Sequence, residues 1–166
     1  MSNIRVLVLM GSDSDAPTMQ AAVDVLSEFQ IPCEMTVASA HRSPERVMRL
    51  VSEAPGRGVK VFIVGAGAAA HLAGVVTAHT TVPVIGVPID SSALKGLDAL
   101  LSTVQMPPGV PVATVSIGKP GATNAGVLAA QILALADPAI AARLSDYKKK
   151  LADKVEAAAA KIAGST

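Results

Sequence analysis

The chain has 166 residues, of which 51% are hydrophobic, 16% charged and 2% aromatic, with a formal net charge of +1. That length fits one domain whose core needs neither disulfides nor a structural metal. The balanced charge and scarce aromatics exclude a basic, base-stacking nucleic-acid surface.

In chain order, Ile4 to Met10 is an apolar run broken only by Arg5, as expected of a parallel strand buried on both faces. It ends in Gly11-Ser12-Asp13-Ser14-Asp15, with Pro17 placed where a first helical turn tolerates it. Met19, Val23, Leu26 and Phe29 carry the helical period that follows. Glu34 to Ala38 reads as a second strand, and Ser43-Pro44-Glu45 opens a helix to about Ala54. Val59 to Val64 is a third strand, followed by Gly65-Ala66-Gly67 and a small-residue helix over Ala68 to His79. Val84 to Val87 is a fourth strand closed by Pro88, and a helix near Leu94 to Val104 leads to a turn over Met106 to Pro111. A fifth strand spans Val112 to Ile117, and a helix over Ala122 to Ala136 stops at Asp137-Pro138.

Repeated strand–helix units predict a three-layer αβα sandwich around a parallel sheet, with right-handed crossovers. We expect a single domain over 1–166, with an α/β core over 1–136 and an extra C-terminal helix over 138–164. Ile140, Leu144, Tyr147, Leu151, Val155 and Ile162 form a stripe on that helix, which docks either on its own domain or on a neighbouring subunit. The mean hydropathy of +0.48 exceeds that of an ordinary soluble monomer and points to large subunit interfaces. Lys148-Lys149-Lys150 reads as the solvated face of this helix.

Met1-Ser2-Asn3-Ile4-Arg5 runs straight into a strand without a charged leader and cleavage site, and no apolar run reaches the ~20 residues of a membrane span. Cys33 is the sole cysteine. A cytoplasmic protein with no membrane or nucleic-acid partner is expected.

In a parallel sheet the ligand sits outside the carboxyl ends of the strands. Segments 11–15, 39–44, 65–71 and 88–92 all follow strands and should converge on one rim. In the first, Ser12, Ser14 and the helix N-terminus can bind phosphate or sugar, or Ser14 or Asp15 can simply cap the helix. Two aspartates would repel a phosphate unless they turn elsewhere. In the second, His41 and Arg42 pair a proton carrier with an anion clamp; the plainer reading is a solvated loop with Ser43 as a cap. Gly65-Ala66-Gly67-Ala68-Ala69-Ala70-His71 fits the loose dinucleotide fingerprint, with Asp90 about 20 residues further on. It follows the third strand where that fingerprint normally follows the first, so we read a backbone wall that admits a flat heterocycle, with His71 beside it. Small residues there can equally serve helix–sheet packing. His41, His71 and His79 lack metal-ligand spacing, and no G-x-S-x-G elbow is present, so neither a metal nor a nucleophile is expected.

Together, Gly11-Ser12-x-Ser14-Asp15, Ser39-Ala40-His41-Arg42, Gly65-Ala66-Gly67-x-Ala69-Ala70-His71-Leu72 and Val104-Gln105-Met106-Pro107 resemble the PurE family of purine biosynthesis, in register from about residue 4 to residue 136. The resemblance implies a flavodoxin-like layout, a homo-octamer and a cofactor-free enzyme acting on a small ribonucleotide. It implies a mutase converting 5-(carboxyamino)imidazole ribonucleotide to 4-carboxy-5-aminoimidazole ribonucleotide, or else a direct aminoimidazole ribonucleotide carboxylase using carbon dioxide. Arg42 and His71-Leu72 are similar to the mutase branch. On the same footing His41 carries the proton; Ser12, Ser14 and Arg42 hold phosphate; Asp15 holds ribose hydroxyls. Ser39 and the stretch Gly67, Ala68, Ala69, His71 and Leu72 line the base and carboxylate pocket. The family pattern has Gly where this chain has Ala68 and Pro where it has Ala73. A non-catalytic flavodoxin-like module fits less well: a receiver needs an Asp where Gly65 stands, and a flavin site needs an aromatic where only Tyr147 exists.

Overall fold

The computed structural model describes residues 4–164; Met1-Ser2-Asn3, included in the reading for a leader, lie outside the described residues. Five runs rich in β-branched and aliphatic residues form a parallel sheet in the order β2-β1-β3-β4-β5. The strands are β1 Val6–Met10, β2 Cys33–Val37, β3 Val61–Gly67, β4 Val84–Ile89 and β5 Ala113–Thr114. The helices are α1 Ala16–Glu28, α2 Pro44–Glu53, α3 Leu72–Ala78, α4 Leu97–Val104, α5 Gly118–Ala134 and α6 Pro138–Ala163. Strand order reverses between β1 and β3, which makes the layout flavodoxin-like and leaves a crevice at their carboxyl ends.

Side-chain alternation along the central strands feeds two cores. Val6, Val8, Val61 and Ile63 join α1, α5 and the start of α6 on one face. Leu7, Leu9, Phe62 and Val64 join α2, α3 and α4 on the other. Every residue of β1 is buried, so its apolar run carries no polar alternation. Much of the alanine excess is used inside the chain: Ala122, Ala125, Ala129 and Ala130 are each 0% exposed on α5. A Cβ on Gly126 would lie 2.9 Å from the Val25 Cβ, so α5 and α1 pack closely because of small residues.

Several boundaries differ from the sequence expectations. β3 runs on through Gly65-Ala66-Gly67, which pair with Val87, Pro88 and Ile89 of β4. Pro88 therefore lies within β4 instead of closing it. β5 pairs only as far as Gly86, so position 88 needs no donor on that side. Expected to begin at Ala68, α3 begins at Leu72; residues 68–71 form a loop, and Ala68 has a φ of +51°. α4 begins at Leu97, after Lys95 and Gly96 both take positive φ. β5 is two residues long, where a strand over Val112 to Ile117 was expected. α5 starts at Gly118, four residues before the expected Ala122, and Gly121 is required there because a Cβ would lie 1.6 Å from the Ser116 carbonyl oxygen.

The Asp137 carboxylate caps α6 by accepting from the Ala139 and Ile140 N–H groups and pairs with Arg5 at 3.1 Å. The stripe on α6 divides. Ile140 is buried, and Leu144 and Tyr147 pack on the same core, with Tyr147 edge-on to Phe29 at 5.3 Å. Leu151 and Val155 are 44% and 67% exposed. Among the described residues no helix is long and apolar enough to cross a membrane.

Candidate active site

The anticipated rim exists. Loops after β1, β2, β3 and β4 meet around a cleft of about 410 Å³ at the β1/β3 switch point. It brings together ten of the eleven residues expected there: His41, Ser12, Ser14, Asp15, Ser39, Arg42, Gly67, Ala69, His71 and Leu72. Ala68 is not in the lining. Its left-handed φ makes it the bend of the wall loop, so its methyl acts on the backbone and not on the cleft. Gly11, Ala40, Ala66 and Ser91, which lie in the four converging segments but are assigned no role from the sequence, complete the lining. Val104-Gln105-Met106-Pro107 lies apart, with the Met106 thioether packed near Gly74 of α3.

At one end of the cleft, neither Ser14 nor Asp15 makes a side-chain cap on α1. Ser12 instead caps a 3-10 turn over Asp13–Asp15, accepting from the Ser14 N–H, while Asp15 Oδ2 accepts from the Ser12 N–H at 3.2 Å. This reciprocal pair is a capping box. The Ser14 hydroxyl donates to the Ser12 Oγ at 2.9 Å, and the Ser12 hydroxyl reaches Asp13 Oδ1 at 3.1 Å. The expected repulsion is thereby reduced, since both carboxylates are occupied by local donors. Asp15 is only 5% exposed. Burial pushes its carboxyl above the usual 3.8, against the opposing pull of the Ser12 N–H and the Arg42 guanidinium.

Arg42 lies across the gap between the first two loops. Its Nη2 donates to the Gly11 carbonyl at 2.8 Å, and its backbone N–H donates to the Ser39 Oγ at 3.2 Å. Ser43 does not cap α2; its hydroxyl donates to the Ser39 carbonyl at 3.3 Å and accepts from the Ser39 N–H. The 39–43 turn is thus closed on itself, with His41 at its tip.

His41 Nε2 lies 2.9 Å from His71 Nδ1, and the rings meet edge to face at 4.9 Å between centroids. That contact needs one proton between the facing nitrogens, so the two tautomers are linked. The wall behind the rings is backbone. A Cβ on Gly65 would lie 2.3 Å from the Met19 thioether, so Gly65 is present to admit α1. A Cβ on Gly67 would lie 1.7 Å from the Ser91 Oγ, so the bare Gly67 lets the β4 loop approach. Because Gly65-Ala66-Gly67 is strand and not a strand-to-helix turn, the dinucleotide fingerprint has no structural basis here. No cluster of potential metal ligands occurs among the described residues.

Sheet order and cleft position together define a flavodoxin-like α/β protein with a cleft at the switch point. Residues 5–154 match the family described as AIR carboxylase, and the chain belongs to that family. It is 54% identical over 158 residues to the N5-carboxyaminoimidazole ribonucleotide mutase of Mycobacterium tuberculosis, covering 95% of this chain and 90% of that one. To the Bacillus subtilis protein of the same name it is 55% identical over 142 residues, covering 86% and 88%. The crystal structure of Treponema denticola PurE superposes with a TM-score of 0.84 at 31% identity, covering 94% of this chain and 96% of that one.

Proposed function

We infer that this protein is an N5-carboxyaminoimidazole ribonucleotide mutase of purine biosynthesis, an isomerase that moves a carboxylate from the exocyclic nitrogen to carbon 4 of the imidazole. Relatives bearing that name, more than half identical over most of the chain, support the activity. One observation carries the residue-level reading: an imidazole held at 2.9 Å by a second imidazole, in the same cleft as an arginine and two serine hydroxyls.

Arg42 and the hydroxyls of Ser12 and Ser14, which turn from Asp13 and from each other when the ligand enters, supply the donors for the substrate phosphate, with the guanidinium already held over this end by Gly11. Asp15 accepts the ribose hydroxyls with the lone pairs its capping box leaves free. The heterocycle lies along the backbone wall of Gly67, Ala69 and Leu72, with Ser39 near the migrating carboxylate.

The reaction then needs one proton carrier. Protonated His41 gives its proton to the exocyclic nitrogen as the N–C bond to the carboxylate breaks and carbon dioxide leaves. Carbon 4, activated by the resulting amine, attacks the trapped carbon dioxide. Neutral His41 removes the carbon 4 proton, which restores the aromatic ring and the starting imidazolium. Atoms and charge balance over the cycle, so the residues above account for an isomerisation. The main contribution of the protein is holding ring and carbon dioxide in reacting geometry away from water. His71 orients the His41 ring through the shared hydrogen bond.

The protein acts as a homo-oligomer, an octamer by its family resemblance. Leu94, Leu97, Leu101 and Val104, 62%, 52%, 49% and 47% exposed, form an apolar stripe at helical spacing along and before α4. The outer half of α6 adds Leu151 and Val155, which supports the reading of α6 as a subunit contact; sedimentation tests it. We assign the protein to the cytoplasm, where its half-buried free thiol Cys33 stays reduced.

Turnover followed in the ultraviolet tests the activity. The protein should convert 5-(carboxyamino)imidazole ribonucleotide without added bicarbonate. Consumption of aminoimidazole ribonucleotide and bicarbonate alone would assign it to direct carboxylation instead.

A further inference from the structure

We propose that Ser102, on α4 and outside the cleft lining, is a positioning residue that holds the wall loop over residues 68–71 in its working shape. This rests on the mutase reading above.

The loop has to be held from outside. It leaves β3 through Ala68 at φ +51°, a conformation that alanine occupies at a cost of about 1–2 kcal/mol. One residue before α3, His71 donates its N–H to the Ala69 carbonyl at 2.8 Å. Between them Ala70 is 1% exposed, so its N–H cannot turn to bulk water and needs an internal acceptor. That acceptor is the Ser102 Oγ, at 3.1 Å and 32 residues away in sequence.

The same hydroxyl lies 3.4 Å from the Ala68 carbonyl, 2.7 Å from Asp98 O and 3.3 Å from Ala99 O. A helical serine commonly returns its proton to the carbonyl four residues back. Ser102 does that to Asp98 and spends its lone pair on a different element. The helix thereby fixes which way the Ser102 oxygen faces, and that oxygen fixes the Ala70 N–H. The next residue is His71, whose Nδ1 orients His41. Loss of the tether leaves a strained bend free to relax beside the reacting ring, and a shift of about 1 Å in such geometry can cost about 100-fold in rate.

The test compares Ser102→Ala and Ser102→Thr with Ser52→Ala. Ser52 is a helical serine on α2, away from the cleft, whose hydroxyl donates to Arg49 O at 2.9 Å; it calibrates the loss of an ordinary helix hydroxyl. We expect Ser102→Ala to lower kcat about 10- to 100-fold with a smaller change in KM. The fraction of substrate released as aminoimidazole ribonucleotide and carbon dioxide should rise. Deuterium exchange in the peptide over residues 64–75 should quicken about tenfold, as expected when one hydrogen bond is lost. Ser102→Thr, which keeps the hydroxyl, should restore kcat to within about threefold, and Ser52→Ala should change none of these. If the alanine variant does not fold, Ser102→Cys, with its weak acceptor, takes its place. Unchanged kcat and product partition in the alanine variant would overturn the proposal, as would a threonine variant as impaired as the alanine one. Absence of mutase turnover in the unaltered protein would overturn the functional reading, and exchange of the 64–75 peptide would still decide whether the tether exists.

Discussion

Replacement of Ala68 by glycine should stabilise the protein, contrary to the usual effect of removing a methyl group. Ala68 has φ +51°, and an L-residue there is strained by about 1–2 kcal/mol relative to glycine. Glycine gives back about 0.4–1 kcal/mol through the larger freedom of its unfolded chain. Ala68 is exposed, so its methyl contributes little burial to offset the gain. The midpoints of the two effects, about 1.5 and about 0.7 kcal/mol, leave about 0.8 kcal/mol in favour of the variant. Guanidinium unfolding at matched protein concentration measures it as a higher midpoint with an unchanged slope. A variant equal to or less stable than the parent would show that the bend is not strained.

Arg42→Ala should raise KM far more than it lowers kcat. One charge-assisted phosphate contact is worth about 1.5–3 kcal/mol, and steady-state kinetics reads the loss. Asp15→Asn should weaken substrate binding yet leave the protein at least as stable at pH 7. Burial raises the Asp15 carboxyl above 3.8 in the folded state. Its contribution therefore favours folding below the unfolded value and is lost as pH rises through the folded one. The stability advantage of the asparagine variant should shrink as pH falls into the carboxylate range; urea titrations at pH 7 and pH 4 check this, and a pH-independent gap would contradict it.

The strands were legible because β1 and β3 are apolar on both faces, a pattern few other elements produce. Convergence of the loops followed from the rule that ligands gather at strand carboxyl ends, and the cleft contains the expected histidines, serines and arginine. Two of the misplaced boundaries, the end of β3 and the start of α5, share a cause. Gly65-Ala66-Gly67 and Gly118-Lys119-Pro120-Gly121 carry residues that usually break elements. Here the first is paired in the sheet by β4, and the second holds a tolerated first-turn proline beside a carbonyl that admits only glycine. Ser91 and Ser102 could not be found by motif. Ser91 matters through the missing Cβ of Gly67, and Ser102 through a backbone N–H 32 residues away. The His41–His71 contact likewise joins two loops 30 residues apart, and only the sheet order brings them together.

The central claim is that His41 carries the proton in the carboxylate migration, and His41→Asn tests it most directly. Asparagine keeps the approximate shape and a polar tip but cannot exchange a proton at neutral pH. Turnover of 5-(carboxyamino)imidazole ribonucleotide should fall by about 10²–10⁴-fold, while ligand binding measured by calorimetry and the mass of the assembly remain those of the parent. A His41→Asn protein that binds the ribonucleotide and still turns it over near the parental rate would contradict the account.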